Sequence, residues 1–171
     1  MIPNNKIALV DEDDNIIAYE DKLIVHRDGL LHRAFSILVF NDIGEILLQR
    51  RALHKYHSAG LWSNTCCSHL PENSEMKEII HTRLNEEMGF DCELEFQFKF
   101  TYKVIFNNGL TEYETDHLYF GYFNSVPNVN PEEAMGWMWI SYEKLEEWIK
   151  TSPEEFTYWF KEIFKRLSII K

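Results

Sequence analysis

Residues 74–88 read SEMKEIIHTRLNEEM, and Gly89 follows them directly. Glycine is the usual residue just past the end of a helix, so this stretch predicts a helix that ends at Met88. Placed at 100° per residue, four apolar side chains form one stripe along it: Met76, Ile79, Ile80 and Leu84. Such a stripe indicates that one side of the helix packs on a core.

Two charged residues interrupt this apolar stripe. Arg83 and Glu87 lie inside it, although burying an unpaired charge costs several kcal/mol. One interpretation is that they pair with each other, because residues four apart are neighbours on a helix. The other interpretation is functional, with Glu87 binding a metal ion while Arg83 faces an anion. The helix alone leaves both interpretations open.

Runs of β-forming residues on both sides of this helix predict strands. They are Lys6–Val10, Ile16–Tyr19, Ala34–Phe40, Glu45–Gln49, Glu93–Phe106, Thr111–Phe123 and Trp137–Ile140. The turn 107–109, Asn-Asn-Gly, predicts a hairpin between the two long strands. Residues 53–68 are polar and contain Gly60, so we expect an irregular segment there.

Two further helices are predicted near the end of the sequence. They are Tyr142–Lys150 and Pro153–Arg166. Ser152, Pro153 and Glu155 offer the second helix an N-cap, a first-turn proline and a capping-box glutamate. This order of elements indicates an α+β fold with a mixed sheet and argues against repeated βαβ units.

Composition limits the possible functions. The 171 residues include 45% hydrophobic and 26% charged residues, which predicts one globular domain spanning 1–171. Seventeen Lys+Arg against 28 Asp+Glu give a net charge of −11. Because there is no basic excess to replace phosphate counterions, we expect no nucleic-acid or anionic-membrane partner. A small phosphorylated ligand needs only a few local cations.

The cysteines and the absence of long apolar runs bear on the cellular compartment of the protein. No apolar run approaches the ~20 residues of a membrane span, and no signal segment is recognisable at Met1–Val10. The three cysteines are odd in number, so we expect a reduced, cytoplasmic protein. Burial suits Cys66 and Cys92, whereas Cys67 lies near His69 in a polar stretch that is compatible with a reactive thiol.

A row of acids lies on one predicted strand. Glu112, Glu114 and Asp116 alternate along Thr111–Phe123 and therefore share one face. Exposure to solvent is the commoner arrangement, and we expect it here. A divalent cation is the alternative that would make the row favourable. Seven histidines show no zinc-finger spacing, and His81 and His117 are assigned no role.

Several short motifs follow one another from about Lys22 to Trp159. They are His26 with LHRAFS at 31–36, QRRALHK at 49–55, GLWSNTCCSH at 60–69, EEMGF at 86–90, Tyr102, EYE at 112–114, and Trp159. Together they resemble the type 1 isopentenyl-diphosphate Δ-isomerases, a family with the Nudix fold. The resemblance implies a single-domain α+β protein with a mixed β-sheet sandwich and flanking helices.

The resemblance also implies a reaction in isoprenoid biosynthesis. A double bond shifts reversibly between isopentenyl and dimethylallyl diphosphate by proton addition and removal through a carbocation. By similarity, Cys67 and Glu114 are the acid and base on opposite faces of the substrate. Tyr102 then shares a proton with Glu114. Trp159 offers a π face to the cation, an attraction of ~2 kcal/mol or more when desolvated.

Two metal ions and a diphosphate site are implied in the same way. The first metal, Mn²⁺, Zn²⁺ or Mg²⁺, is expected at His26, His32, His69, Glu112 and Glu114. A second ion, Mg²⁺, is expected between Glu87 and the substrate diphosphate. The cations expected around the diphosphate are Lys22, Arg51, Lys55 and Arg83. The implied partner is a small molecule, with the protein a monomer or weak homodimer.

The sequence departs from the family patterns at several positions, and these departures bear on two alternative functions. The general Nudix pattern survives only within 84–90, and Ser68, Ser74, Thr82 and Arg83 occupy its other positions. This argues against a Nudix hydrolase of a nucleoside diphosphate derivative, the first alternative. A non-catalytic metal-binding domain is the second. Ala59 and Leu70 stand where the family usually has proline, and the sequence leaves open whether these departures alter the loop around the site.

Overall fold

The computed structural model describes residues 5–170, whose nine strands form one sheet with four helices around it. The strands are β1 (Lys6–Val10), β2 (Ile16–Asp21), β3 (His32–Phe40), β4 (Ile46–Arg51), β5 (Trp62–Ser63), β6 (Cys66–His69), β7 (Leu94–Ile105), β8 (Thr111–Tyr122) and β9 (Ala134–Ile140). The helices are α1 (Lys22–Asp28), α2 (Met76–Met88), α3 (Tyr142–Thr151) and α4 (Tyr158–Ile170).

Strand β3 is the centre of the sheet. It pairs in parallel with β8 along its whole length and antiparallel with β6 over residues 34–37. Strands β7 and β8 form the predicted hairpin, and β4 continues the sheet to β5 and β9. One parallel pairing among antiparallel ones makes the sheet mixed, so the predicted α+β class is confirmed.

The two faces of β3 serve different cores. Phe35, Ile37 and Val39 pack with the apolar stripe of α2, and all three are fully buried. Leu38 faces the other way and packs in a cluster with residues of α4. Because side chains alternate along a strand, His32 and Ser36 lie on the same face as Leu38. The candidate functional site described below lies on that face of the sheet.

The predicted strands before β3 and the irregular segment 53–61 are confirmed, but β5, β6 and α1 were not predicted. Strands β5 and β6 lie where an irregular segment was expected, because their hydrogen bonds come from β4 and β3. Helix α1 was not predicted. It is only seven residues long, and it is capped by the Asp21 side chain and by Gly29 at φ +65°.

The last helix begins later than predicted. Pro153–Glu155 form a 3₁₀ turn, and the Ser152 side chain makes no capping hydrogen bond. The chain then extends beside β5, where the Thr157 amide donates to the Trp62 carbonyl at 2.9 Å. This tertiary contact separates the turn from α4, which begins at Tyr158.

Leu70, one of the departures from proline, is well accommodated. Its side chain is buried, and its amide donates to the Arg33 carbonyl at 3.2 Å. Proline has no amide hydrogen and could not make this bond. Ala59 is exposed on the loop between β4 and β5. Among residues 5–170, no helix combines the length and the apolar character needed to cross a membrane.

Candidate active site

A cleft of about 680 Å³, including its mouth open to solvent, lies at one end of the sheet. The structure brings eleven of the predicted site residues to its walls: Lys22, Arg51, Lys55, Cys67, His69, Arg83, Glu87, Tyr102, Glu112, Glu114 and Trp159. The other two, His26 and His32, are buried beside Glu112.

Five of these residues form a compact cluster of metal-ligating groups. His26, His32, His69, Glu112 and Glu114 each offer one ligand atom, and these atoms all lie within 4.8 Å of one another. Four elements supply them. Helix α1 contributes His26, β3 contributes His32 and β6 contributes His69. Both glutamates come from β8, whose parallel register with β3 sets Glu114 opposite His32.

Backbone contacts orient two of the histidine rings. Nδ1 of His26 lies 2.6 Å from the Lys22 carbonyl, and Nδ1 of His32 lies 2.8 Å from the Leu30 carbonyl. A carbonyl can only accept, so each Nδ1 carries a proton, and Nε2 is the ring atom that can bind a metal ion once it is unprotonated. This is the tautomer that a metal-binding histidine needs.

The donor set fits a divalent cation. His26 Nε2, His32 Nε2 and Glu112 Oε2 are buried, yet none has a hydrogen-bond partner in the structure. Buried polar atoms are rarely left unpaired. Three imidazoles and two carboxylates are suitable ligands for a divalent transition metal or Mg²⁺. Divalent metal binding is therefore the role that this cluster supports.

Mutual contacts in the cluster shift its protonation. Burial alone would lower the pKa of His32, but Glu112 and Glu114 together raise it to about 10. Burial would raise the pKa of Glu112, but contacts with four histidines hold it well below its usual range. A cation binding here must displace the protons that the histidines hold.

The expected solvent exposure of the acidic row on β8 is wrong. Glu112, Glu114 and Asp116 are 3%, 7% and 0% exposed. Helix α1 packs against β8 and covers this end of the strand. Asp116 accepts a hydrogen bond from the Ser36 hydroxyl at 2.7 Å, and burial raises the pKa of Asp116 well above its usual range. The alternation of side chains along β8 correctly predicted that the three acids share one face of the strand, but it cannot show which other element covers that face.

The predicted acid–base residues line the same cleft. Tyr102 donates its hydroxyl hydrogen to Glu114 Oε2 at 2.8 Å. Cys67 lies on β6 beside Ser36 of β3, and burial raises the pKa of its thiol well above the usual value. The thiol is therefore neutral at physiological pH. Trp159 donates its indole N–H to Ser63 Oγ at 3.0 Å, which fixes the ring in the wall.

The cleft also gathers positive charge. Nε of Arg51 and Nε of Arg83 are buried without a hydrogen-bond partner. Arg51 lies over the Trp159 ring at 5.2 Å from its centroid. Lys22 is also part of the wall, and burial lowers its pKa. Unpaired guanidinium donors at a cleft wall suit an anionic ligand.

Arg83 and Glu87 pair with each other, as one of the two interpretations predicted. Arg83 Nη2 lies 2.7 Å from Glu87 Oε1 and 3.2 Å from Glu133 Oε1. Both partners also line the cleft, so pairing and a role at the cleft are compatible. Lys55 is paired with Glu133. The roles predicted for these residues stay predictions.

Six residues that line the cleft were not predicted from the sequence: Ser36, Gln49, Tyr56, His57, Ser68 and Glu133. Gln49 donates to Glu87 Oε2 at 3.0 Å, and a lone glutamine in the apolar run of β4 was the available signal. Glu133 and His57 lie in segments without periodicity, where no pattern distinguishes them. His57 Nε2 lies 2.8 Å from Glu112 Oε1, beside the metal-ligating cluster.

Comparisons with known proteins identify the family of this chain. The family model of the NUDIX domain matches residues 30–160. The sequence is 44% identical over 163 residues to isopentenyl-diphosphate Delta-isomerase 2 of Aromatoleum aromaticum, covering 95% of this chain and 86% of that protein. It is 47% identical over 161 residues to the isopentenyl-diphosphate Delta-isomerase of Serratia proteamaculans, covering 94% and 90%.

A solved structure supports the fold independently. DR0079 from Deinococcus radiodurans superposes with a TM-score of 0.78, covering 94% of this chain and 98% of that one. The two sequences are only 16% identical, so this likeness bears on the fold alone.

Proposed function

The chain belongs to the isopentenyl-diphosphate Delta-isomerases of the NUDIX family, and we propose that Cys67 and Glu114 transfer the protons of its reaction. The protein is an isomerase that interconverts isopentenyl and dimethylallyl diphosphate. The observation that carries the proposed roles is that a neutral thiol and a metal-site carboxylate line one cleft with two unpaired guanidinium donors.

The reaction sets clear demands on these side chains. An unactivated alkene is a weak base, so an acid must be held against it and a base against the neighbouring carbon. The acid adds a proton to the terminal carbon, which leaves a tertiary carbocation. The base then removes a proton from the carbon on the other side of the cation. One proton enters and one leaves, so the substrate is isomerised without a redox change.

Tyr102 and Trp159 are proposed to support these steps. The Tyr102 hydroxyl is hydrogen-bonded to Glu114, so it can share the proton that this carboxylate gains or loses. Trp159 offers an aromatic ring to the carbocation, and its hydrogen bond to Ser63 limits rotation of that ring.

We propose that Mn²⁺, Zn²⁺ or Mg²⁺ is held by His26, His32, His69, Glu112 and Glu114. When bound, such an ion supplies positive charge beside the Glu114 carboxylate and lowers its proton affinity. Glu87 is proposed to hold Mg²⁺ together with the substrate diphosphate. Lys22, Arg51, Lys55 and Arg83 would orient the diphosphate, and the unpaired Nε atoms of the two arginines support this.

We further propose a cytoplasmic enzyme that acts as a monomer or weak homodimer. Cys66, Cys67 and Cys92 are free thiols, as a reducing compartment favours. The net charge of −11 disfavours nucleic acid as a partner.

The proposed proton-transfer roles are tested by Cys67→Ala and Glu114→Gln. Each variant should lower kcat by at least about 10²–10⁴-fold, because each loses one proton-transfer partner. Circular dichroism should show that both remain folded. Cys66→Ala is the matched control, since Cys66 packs under α2 on the other face of the sheet and should keep its activity within a few-fold. Near wild-type turnover in Cys67→Ala or Glu114→Gln would remove that residue from the mechanism.

A further inference from the structure

His57 is a buried polar residue in an irregular loop. It lies between β4 and β5, and its side chain is only 4% exposed. Its Nε2 lies 2.8 Å from Glu112 Oε1, and its Nδ1 lies 3.2 Å from Ser58 Oγ. Nothing in the proton-transfer steps or the five-residue cluster uses this side chain, so its burial needs another explanation.

The contacts of His57 locate its proton. A carboxylate can only accept a hydrogen bond, so the proton lies on Nε2 and is donated to Glu112. Nδ1 is then free to accept from the Ser58 hydroxyl. This tautomer is the opposite of the one at His26 and His32, whose Nδ1 atoms face carbonyls. His57 therefore donates a hydrogen bond to the cluster through Nε2, whereas Nε2 of His26 and of His32 is the atom available to a metal ion.

Aromatic neighbours hold the His57 ring in place. The ring stacks on Phe106 with centroids 4.6 Å apart and planes inclined by 14°. Its edge meets Trp159 at 5.7 Å and 82°. The backbone is fixed as well, because Arg51 Nη2 donates to the His57 carbonyl at 3.2 Å. A ring held in this way presents its Nε2–H to Glu112 in one orientation.

We propose that His57 is a positioning residue for the metal site, acting through its hydrogen bond to Glu112. The bond to Oε1 fixes the carboxylate so that Oε2, which has no hydrogen-bond partner, lies 3.5 Å from His32 Nε2 and 3.9 Å from His69 Nε2. This inference rests on the proposed metal site. Outer-shell hydrogen bonds of this kind are worth roughly 10–100-fold in metal affinity.

The test compares His57→Gln with His57→Met in the full-length protein stripped of metal. Both side chains are unbranched and similar in size, but only glutamine retains an N–H donor. Mn²⁺ is titrated into each protein, and the free ion is followed by electron paramagnetic resonance. We expect His57→Met to weaken Mn²⁺ binding by about 10–100-fold and His57→Gln to restore most of the loss. Thermal melting of the metal-free variants establishes that both are folded.

Two further variants separate failure of this inference from failure of the metal site. His54 lies on the same loop but is exposed, so His54→Gln should bind Mn²⁺ like the wild type. Glu112→Gln should lose binding. If the wild type binds Mn²⁺ and His57→Met binds it equally well, the positioning role is overturned and the metal site stands. If the wild type itself does not bind, the metal site fails and the inference with it.

Discussion

Six buried side-chain nitrogen and oxygen atoms in the described part of the chain make no hydrogen bond. Five belong to residues predicted from the sequence to bind metal or diphosphate: His26, His32, Arg51, Arg83 and Glu112. An unpaired buried polar group costs about 1–3 kcal/mol, so such atoms seldom persist without a purpose. The unpaired atoms of His26, His32 and Glu112 lie in the metal-ligating cluster, where a cation would bind them. The unpaired Nε–H groups of Arg51 and Arg83 belong to residues of the cleft wall, where an anion would accept their hydrogen bonds.

Arg83 allows a prediction at this scale. Arg83→Leu should raise the Kd for isopentenyl diphosphate about tenfold to a hundredfold, since a hydrogen bond to a charged group contributes ~1.5–3 kcal/mol. The fold should suffer less, because Glu87 keeps its hydrogen bond from Gln49. Calorimetry with the substrate and urea unfolding measure the two effects.

Glu86→Gln is the control for this prediction. Glu86 also contacts Arg83, at 2.6 Å, but its side chain is half exposed, so its loss should leave substrate affinity unchanged. An unchanged affinity in Arg83→Leu would make Arg83 a structural residue of α2.

At the scale of helices and strands, local sequence signals predict some elements well and others not at all. Helix α2 has an apolar stripe and a terminal glycine, and the β7–β8 hairpin has its Asn-Gly turn. Both were predicted because these signals lie within the element. Strand β6 depends on hydrogen bonds from β3, about 30 residues earlier, so its own residues show no alternation. The burial of His57 could not be predicted for the same reason, because it depends on contacts with Phe106 and Trp159, which are distant in the sequence.

The end of α2 provides a test of how this helix is held. Gly89 has φ +73°, and an added Cβ would lie 2.3 Å from the backbone oxygen of Asn128. Gly89→Ala should therefore cost clearly more than the ~1–2 kcal/mol of a left-handed residue alone. Gly109 has φ +85° with open space around it, so Gly109→Ala should cost only that amount. Urea unfolding of both variants measures the difference, and equal losses would contradict the close packing described at Gly89.

At the scale of the whole molecule, the local charge distribution differs from what the net charge suggests, because the cleft is lined by as many cations as carboxylates. The protein carries −11 overall, yet four cations meet at one cleft: Lys22, Arg51, Lys55 and Arg83. Charges more than about 10 Å apart are largely screened at 0.1 M salt, so acidic residues elsewhere on the surface oppose an anion at these cations only weakly. The composition correctly predicted the globular, acidic character, but the order of the motifs was needed to locate the cleft.

Metal removal should affect the stability of the entire fold. The cluster joins α1, β3, β6 and β8, so a bound cation stabilises the folded state over the unfolded one. At a Mn²⁺ concentration of 100 times Kd, the gain is about 2.7 kcal/mol, equivalent to roughly 5–10 °C in Tm. Scanning calorimetry with chelator and with added Mn²⁺ measures it. Glu112→Gln should show a much smaller shift, and an equal shift in that variant would place the ion elsewhere.

The most direct test is proton NMR of isopentenyl diphosphate with the metal-loaded protein and Mg²⁺ in D₂O. Isomerisation by proton addition and removal predicts that dimethylallyl diphosphate appears and that solvent deuterium enters both isomers. The Cys67→Ala and Glu114→Gln proteins should leave the spectrum unchanged. Release of phosphate without the isomer, or an unchanged spectrum with the metal-loaded wild type, would contradict the assignment of this cleft to the isomerase reaction.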